Sequence, residues 1–329
     1  MTTVATTQST SYSCTICNND MQPWLNIPGD FRRPDIKDTY PLYWCNTCNF
    51  GQLKPTPTPD QISTFYQLPE YCTHTDARNQ TRPHTYLQKL RAHLAWRLDQ
   101  SSEMYVPRFR EFAKQGISSC CDIGCGGGKS LRRMKEAGIT DLVGVEPDPE
   151  AIKNAQSHGF TIYQGTAENL PTEALARKFD LVLITHVLEH TTAPVIAIRN
   201  LLKLVNSGGK LIVEIPNNLN AGCKQDARAW PWLDVPRHLN FFSAQSLIAL
   251  CEKSGWKVQS TEYRGYCRQF EPTWFDFEDQ INRQQNTMLN KKPKSNLSME
   301  LSRWRRFVRT AFASSDLKYD SVRVIATKP

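Results

Sequence analysis

One stretch decides the fold: Cys121-Asp122-Ile123-Gly124-Cys125-Gly126-Gly127-Gly128-Lys129-Ser130-Leu131. The apolar run 117–123 leads into it and predicts a buried parallel strand. Glycines then occupy alternate positions (Gly124, Gly126, Gly128), and residues 130–137 have helical character. A strand, a glycine turn and a helix let the backbone approach a nucleotide-like ligand closely, with helix N–H groups directed at it.

An acidic residue follows this loop at an informative distance. Glu146 closes the next predicted strand, 141–146, and lies 22 residues beyond Gly124. A carboxylate about 20 residues after the first glycine suits hydrogen bonds from ribose hydroxyls. The loop and the carboxylate together indicate an adenosine-containing cofactor, although proteins that bind NAD share both features.

Motifs further along the chain distinguish NAD from other adenosine-containing cofactors. The chain resembles class I S-adenosylmethionine-dependent methyltransferases in four ordered motifs, which are Asp122-Ile-Gly-Cys-Gly-Gly-Gly, Val145-Glu-Pro-Asp148, Gly165-Thr-Ala-Glu-Asn-Leu-Pro171 and Phe179-Asp-Leu-Val-Leu-Ile-Thr-His-Val-Leu-Glu-His190. Gly208-Gly-Lys-Leu-Ile-Val213 continues the series. The resemblance covers roughly residues 110–262 and a final strand near 320–327. It favours a methyl donor over NAD.

The resemblance also implies roles for individual residues around S-adenosylmethionine. The three glycines, Gly124, Gly126 and Gly128, would pass the methionine moiety, Asp122 would orient its ammonium group, and Glu146 would hold the ribose. Ala167 and Glu168 would lie near the adenine, and His186 would face the donor. Glu189 and His190 lie beyond the cleft in this interpretation, where capping or packing is expected of them.

Two C-x-x-C motifs precede this region, with ligands Cys14, Cys17, Cys45 and Cys48 and 27 residues between the pairs. Four thiolates from two tight turns complete a tetrahedral zinc site with no open position, so the zinc is expected to be structural. The spacer is longer than the usual ~15–20 residues of such sites. Unligated thiols and a redox pair are the alternatives.

These features divide the chain into regions. The Thr/Ser-rich segment 1–13 is expected to be a disordered tail, 14–58 a zinc-knuckle domain and 59–115 a helical linker that covers the cleft. Residues 116–329 are expected to form the methyltransferase domain, an α/β, doubly wound Rossmann-like fold with seven strands and a helical insertion at 265–317. The Pro/Thr-rich run 53–61 marks the boundary near residue 58.

Within the linker, 85–98 predicts an amphipathic helix with Tyr86, Leu87, Leu90, Leu94 and Leu98 on one face. By analogy with related methyltransferases, Tyr66 and Tyr71 are candidates to line the substrate entrance; packing aromatics are the alternative.

Bulk properties set limits on function. The chain has 329 residues, 40% hydrophobic and 22% charged, with no apolar run long enough to span a bilayer. The amino-terminal segment lacks a secretory signal, so a cytoplasmic protein with reduced thiols is expected. Of the net charge of +8, residues 263–329 carry +6. Such a basic region can meet a phosphorylated substrate, nucleic acid or an anionic surface, or it can be a solvated helix face.

The substrate side is expected after the fifth strand of the methyltransferase sheet. The segment 230–243 holds aromatic residues, Asp234, Arg237 and His238. Residues 236–243 resemble a segment of zinc-knuckle methyltransferases acting on sugars and secondary metabolites, in which an equivalent histidine lies at the substrate cleft. His238 is therefore the candidate general base, Asp234 its candidate orienter and Arg237 a candidate anion contact. The alternative is that His238 only braces the loop.

These observations predict a methyltransferase that uses S-adenosylmethionine and a structural Zn²⁺, and transfers the methyl group by in-line displacement to a hydroxyl of a small-molecule acceptor. Anionic and sugar-linked acceptors are the candidates. One alternative is a nucleic-acid methyltransferase with a zinc knuckle, although Thr185-His186 stands where a base-holding Asn-Pro-Pro-Tyr motif would lie. A non-catalytic scaffold that senses the cofactor is the other. No stable membrane insertion is expected.

Overall fold

The computed structural model describes residues 11–66, 85–100, 106–292 and 295–329. Strands in these residues are β1 (Tyr12–Ser13), β2 (Asp20–Pro28), β3 (Thr39–Cys45), β4 (Phe50–Leu53), β5 (Ser119–Ile123), β6 (Asp141–Glu146), β7 (Thr161–Gln164), β8 (Phe179–Thr185), β9 (Val205–Pro216), β10 (Asn240–Phe241), β11 (Lys257–Arg264) and β12 (Ser321–Thr327). They form two sheets. Residues 12 and 13 belong to the segment that was expected to be a disordered tail. They instead form β1, because they pair with β2.

Helices surround the sheets. They are α1 (Pro59–Phe65), α2 (Tyr86–Leu98), α3 (Val106–Lys114), α4 (Lys129–Glu136), α5 (Pro149–Ser157), α6 (Thr172–Leu175), α7 (Pro194–Leu201), α8 (Ala221–Asp226), α9 (Ala244–Lys253), α10 (Pro272–Met288), α11 (Asn296–Ala311) and α12 (Ser315–Lys318). Helix α5 starts as its sequence predicts, with Pro149 in the first turn and the Asp148 side chain accepting from the Glu150 N–H. No helix in the described ranges is long and apolar enough to cross a membrane.

The larger sheet has seven strands in the order β11-β12-β9-β8-β5-β6-β7. Strands β5 to β9 run parallel, and β12 inserts antiparallel between β9 and β11. The predicted fold class is confirmed, including the helical insertion, which consists of α10, α11 and α12 between the last two strands. The strand order reverses at β5, and α/β sheets bind ligands beyond the carboxyl ends of the strands at such a point.

The sheet is buried on both faces, as its apolar strands require. Phe109, Leu131 and Met134 pack on one face, and Ile198 and Leu247 belong to the cluster on the other. Every residue of β5 is buried. This burial fixes the start of the glycine loop at the sheet's carboxyl edge.

The smaller sheet joins the cysteine-rich region to the methyltransferase region. Its order is β1-β2-β3-β4-β10, so the last strand comes from the segment after β9. Asn240 pairs with Gln52, and the Gln52 amide donates to the Asn240 side-chain oxygen at 3.0 Å. The two regions therefore share a sheet across the boundary that the linker predicts near residue 58.

Helix α2 forms where expected, but its predicted buried face is wrong. Tyr86 is 78% exposed and Leu87 58% exposed, whereas Arg91 and Ala95 are buried. The Arg91 guanidinium carbon lies 4.6 Å from the centroid of the Phe275 ring, and Arg91 Nη1 lies 2.7 Å from a Glu300 oxygen. The aromatic and acidic surface of α10 and α11 stabilises the arginine inside, so the buried face is centred on Arg91 and Ala95, and of the predicted face Leu90 and Leu98 are partly buried.

Candidate cofactor and substrate site

The glycine loop adopts the left-handed backbone that its sequence predicts. Gly124, Gly126 and Gly128 have φ angles of +68°, +51° and +78°. A Cβ atom on Gly124 would lie 2.2 Å from Val187 Cγ2, so the chain packs tightly there. A Cβ atom on Gly126 would meet nothing within 4 Å. The backbone of Gly126 thus faces open space, as a surface that receives a ligand must.

Two buried carboxylates stand beside the loop. Glu146 accepts hydrogen bonds from the Gly126 N–H at 2.8 Å and the Asp148 N–H at 3.0 Å. Each of its oxygens has a further lone pair for a ribose hydroxyl. Asp122 is 2% exposed, and its Oδ1 has no hydrogen-bond partner within the part of the chain that the structure describes. Burial and the charge of Glu146 raise the pKa of Asp122 to about 8.

These properties fit S-adenosylmethionine. An orphaned, buried carboxylate oxygen gains most from a cationic donor, which the ammonium group of a methionine moiety provides. The open backbone at Gly126 and the free lone pairs of Glu146 suit the rest of an adenosyl ligand. The roles of individual residues remain predictions.

Ala167 and Glu168, the two residues expected near the adenine, both contact other parts of the chain. Ala167 is 1% exposed and belongs to the core cluster. The Glu168 carboxylate accepts hydrogen bonds from the backbone N–H groups of Thr192 and Ala193, both at 2.8 Å. Glu168 therefore holds the chain at the start of α7. Because its carboxylate is occupied there, the geometry does not support contact between this side chain and an adenine.

His186 follows β8 directly, with a left-handed φ of +55°. Its ring stacks on Trp232, with centroids 5.0 Å apart, and its nitrogens lie 3.4 Å from Glu189 and 3.3 Å from Glu214. Burial would lower its pKa, but the two carboxylates outweigh burial and raise the pKa of His186 to about 9. At neutral pH His186 is therefore a cation held between two anions.

Glu189, His190 and His238 form a cluster whose ligand-type atoms all lie within 4.8 Å of one another. Glu189 is 1% exposed, and neither carboxylate oxygen makes a hydrogen bond among the described residues. The imidazole centroids of His190 and His238 are 4.6 Å apart. Capping or packing was expected of Glu189 and His190, yet they lie beside the candidate base. In the sequence, the feature that could have indicated this location is their position in the motif that ends β8.

The protonation of His238 follows from its contacts. Its Nδ1 lies 2.8 Å from the Trp232 carbonyl oxygen, which can only accept, so Nδ1 carries the proton. The other nitrogen, Nε2, then holds the lone pair of the neutral ring. Burial and the neighbouring His190 lower the pKa of His238 to about 4. The ring is therefore neutral at physiological pH and able to accept a proton.

Asp234 and Arg237 belong to a different structure, a buried ionic network. Arg237 donates to Asp30 at 2.7 Å and to Asp234 at 2.9 Å, and Arg32 donates to Asp234 at 2.9 Å. The Asp234 side chain makes no hydrogen bond to the His238 ring among these contacts; the Trp232 carbonyl orients that ring instead. Because Arg237 is 1% exposed and ion-paired, it is unsuited to an anion from solution.

One of the two tyrosines proposed by analogy lies at this cluster. The Tyr66 hydroxyl is 2.8 Å from His190 Nδ1, and the Arg237 carbonyl oxygen is 3.2 Å from the same nitrogen. Tyr71 lies outside the described residues.

The four cysteines of the C-x-x-C motifs converge. Cys14 and Cys48 sulfurs are 3.5 Å apart, those of Cys17 and Cys45 are 3.4 Å apart, and all four lie within 4.8 Å. Zinc bound at about 2.3 Å from each sulfur needs sulfurs roughly 3.8 Å apart. A left-handed asparagine follows each motif, at positions 18 and 49, and closes its turn. The donor set therefore fits a closed, structural zinc site.

Comparison with known proteins agrees with this geometry. Residues 80–261 match the family described as Methyltransferase domain. A ubiquinone biosynthesis O-methyltransferase of Cereibacter sphaeroides is 32% identical over 193 residues, covering 53% of this chain and 75% of that protein. The ubiquinone biosynthesis O-methyltransferase of Azorhizobium caulinodans is 38% identical over 102 residues, covering 29% of this chain and 39% of that protein.

A tRNA U34 carboxymethyltransferase of Shewanella pealeana is 30% identical over 128 residues, covering 36% of this chain and 37% of that protein. The chain thus spans about two fifths of the length of the Azorhizobium and Shewanella relatives.

Proposed function

The chain belongs to the methyltransferase domain family as an S-adenosylmethionine-dependent enzyme, and on that premise we propose that it methylates a hydroxyl group of a small-molecule acceptor. Sugars, glycan precursors and secondary metabolites are the acceptor classes in view. The observation that carries the proposal is the buried, neutral His238 beside Glu189 and His190, at the edge where β8 ends.

The residues near the glycine loop would hold the donor. When bound, S-adenosylmethionine supplies an electrophilic methyl group on a sulfonium. Asp122 would neutralise the ammonium end, and Glu146 would bind the ribose while fastening the loop through Gly126. Methyl transfer to a hydroxyl needs the attacking oxygen in line with the methyl group, so positioning supplies much of the rate.

The cluster after β8 would handle the proton. A hydroxyl of the acceptor donates to His238 Nε2, and its oxygen becomes more nucleophilic as the proton moves to the imidazole. The Glu189 carboxylate, which also faces the His186 ring at 3.4 Å, lies within 4.8 Å of the His238 ring nitrogen and would stabilise the imidazolium that forms. His238 alone is a weak base because burial lowers its pKa, so the neighbouring carboxylate is part of the proposal.

We further propose that the four cysteines bind one structural zinc ion. Four thiolate ligands leave no position for substrate, so the metal would stabilise the smaller sheet and take no part in catalysis.

A nucleic-acid acceptor is the second candidate. The Shewanella relative named for tRNA and the basic segment 263–329 favour it. The buried proton-accepting cluster favours a hydroxyl acceptor instead.

The test uses S-adenosylmethionine with an isotope-labelled methyl group. The purified protein is incubated with a metabolite extract from which macromolecules have been removed and, separately, with total tRNA. We expect label in the small-molecule pool and loss of that label in the Glu146→Ala variant. Label found only on tRNA would overturn the small-molecule proposal.

A further inference from the structure

A cavity of about 580 Å³ lies apart from the glycine loop and the histidine cluster. One wall is formed by Trp24 and Trp44 from neighbouring strands β2 and β3 of the smaller sheet. The opposite wall begins with Asn218, two residues beyond the end of β9, and continues along α8 to Arg228. Its volume lies in the range of small-molecule sites. It is also next to the sheet edge where an acceptor is expected.

Two buried donor atoms of this cavity, on Asn218 and Arg228, lack hydrogen-bond acceptors among the described residues. Asn218 is 4% exposed, and its Nδ2 donates no hydrogen bond among the described residues; the nearby Cys223 thiol is at most a weak acceptor. Arg228 Nε is likewise buried with no acceptor. Because a buried donor without an acceptor destabilises the protein, a ligand oxygen that accepts a hydrogen bond from either group would bind favourably.

The charges and rings of the lining define the ligand further. Lys224 and Arg228 are cationic, and Asp226, the acidic residue of the lining, already has an interaction partner. The Trp24 and Trp44 rings lie 4.8 Å apart with a tilt of 52°, and both side chains remain partly exposed. Donors and positive charge beside aromatic faces complement a flat ring or sugar that carries oxygen anions.

The close approach of Trp44 is built into the strand. A Cβ atom on Gly51 would lie 2.8 Å from the Trp44 ring and 3.1 Å from the Cβ of Phe241. A glycine at position 51 leaves the space beside β4 that the Trp44 ring occupies. The wall formed by Trp24 and Trp44 is therefore closely packed against the smaller sheet, so this side of the cavity is shaped before a ligand binds.

We propose that this cavity binds the part of the acceptor remote from the reacting hydroxyl, and that this part is a ring bearing a carboxylate or a phosphate. The inference rests on the proposed function, since it concerns the same acceptor. The zinc-knuckle sheet would then contribute substrate selection through Trp24 and Trp44, while Asn218 and Arg228 would bind the anionic oxygens.

The experiment is calorimetric titration of the full chain in the presence of S-adenosylhomocysteine. Uridine monophosphate and phenylacetate represent a ring with a phosphate and a ring with a carboxylate; uridine and inorganic phosphate represent the ring and the anion alone. We expect at least one ring-plus-anion probe to bind roughly tenfold more tightly than either partial probe. Which of the two binds identifies the anionic group.

Variants assign the binding to the cavity. Arg228→Gln is expected to weaken the bound probe roughly tenfold, and Arg110→Gln, which removes an exposed arginine from α3, is the matched control and should change nothing. Thermal unfolding of each variant verifies that it is folded. Failure of both ring-plus-anion probes to bind, or equal affinity in Arg228→Gln, would overturn the proposal.

The donor is titrated separately, so the two proposals fail differently. Absence of S-adenosylmethionine binding would count against the proposed function, whereas the probe titrations would still report on the cavity.

Discussion

At the residue scale, Gly124 and Gly126 have similar left-handed φ angles but different surroundings. A Cβ atom on Gly124 would collide with Val187, whereas one on Gly126 would enter open space. We therefore expect Gly124→Ala to destabilise the fold by about 2–4 kcal/mol through strain and overpacking. Gly126→Ala should cost only about 1–2 kcal/mol of stability but weaken binding of S-adenosylmethionine at least tenfold.

Urea unfolding and donor calorimetry on both variants measure these effects. Gly116→Ala is the control, since Gly116 also has positive φ and open space but lies before β5. If Gly126→Ala bound the donor as tightly as Gly116→Ala does, the loop would not be the donor site.

His186 and His238 make opposite contributions to the pH dependence of stability. The pKa of His238 falls to about 4 in the folded chain, so its contribution is present above the unfolded value near 6.5 and is lost as pH falls towards 4. The pKa of His186 rises to about 9, so its contribution is present below pH 6.5 and is lost as pH rises towards 9.

We expect His238→Asn to flatten the acid side of the stability profile and His186→Asn to flatten the alkaline side, each by about 1–2 kcal/mol. The measurement is the free energy of unfolding in urea between pH 4.5 and 9. Equal flattening of both sides by either variant would contradict the assignment of the acid side to His238 and of the alkaline side to His186 with its carboxylate neighbours Glu189 and Glu214.

Catalysis gives a second test of His238. We expect His238→Ala to lower kcat by roughly 10²–10⁴-fold, as for loss of a general base, while the Kd for S-adenosylmethionine stays within about threefold of the original. Single-turnover assays with the identified acceptor measure the first quantity and calorimetry the second. His158→Ala, on an exposed ring beyond α5, is the control. Full turnover by His238→Ala across pH would rule out the base.

At the scale of elements, the ionic network between Arg237 and Asp30 joins the loop after β2 to the substrate segment. Arg237 and Asp30 are 1% and 0% exposed. We expect Asp30→Asn to destabilise the protein by about 3–5 kcal/mol, because it leaves a buried guanidinium without one of its anions. The exposed pair of Arg33 and Asp35, 3.4 Å apart, supplies the control. Asp35→Asn should cost less than about 0.5 kcal/mol in the same denaturation experiment.

Elements whose signals are local could be predicted from the sequence. The parallel strands are apolar runs bounded by breakers, and the glycine loop combines strand, turn and helix within a dozen residues, so both were predicted near their observed bounds. The face of α2 could not be predicted. Arg91 is buried by Phe275 and Glu300, 184 and 209 residues further along the chain, and no pattern within α2 indicates that surface.

The same reasoning explains the site. The residues expected around the donor lie at the carboxyl ends of strands, a position that topology dictates. Glu189 and His190 were missed because their neighbour His238 arrives from the segment after β9, and Leu239 fixes it there by donating to the Glu189 carbonyl at 2.7 Å. Asp234 was expected to orient His238 because both lie in the substrate segment 230–243, whereas one of its ionic partners, Arg32, lies 202 residues away.

At the scale of the whole molecule, the cysteine cluster is connected to the histidine cluster through backbone hydrogen bonds. Cys45 and Cys48 flank the turn between β3 and β4. The Leu53 N–H at the end of β4 donates to the Leu239 carbonyl at 2.9 Å, and Leu239 in turn bonds to Glu189. The metal site that we propose would therefore support the position of His238 from a distance.

Removal of zinc should then separate two properties of the enzyme. In a Cys45→Ser/Cys48→Ser variant we expect a lower Tm and a loss of at least tenfold in turnover, because β4 and β10 no longer hold Leu239 beside Glu189. The Kd for S-adenosylmethionine should change less than about threefold, because the glycine loop depends on β5 and β6 in the other sheet. Cys267→Ser controls for the loss of a thiol outside the cluster. Thermal unfolding, the methyl-transfer assay and donor calorimetry measure the three effects, and metal analysis verifies the loss of zinc. If turnover survived the loss of zinc, or donor affinity fell in parallel with it, the smaller sheet would have no separate role on the acceptor side.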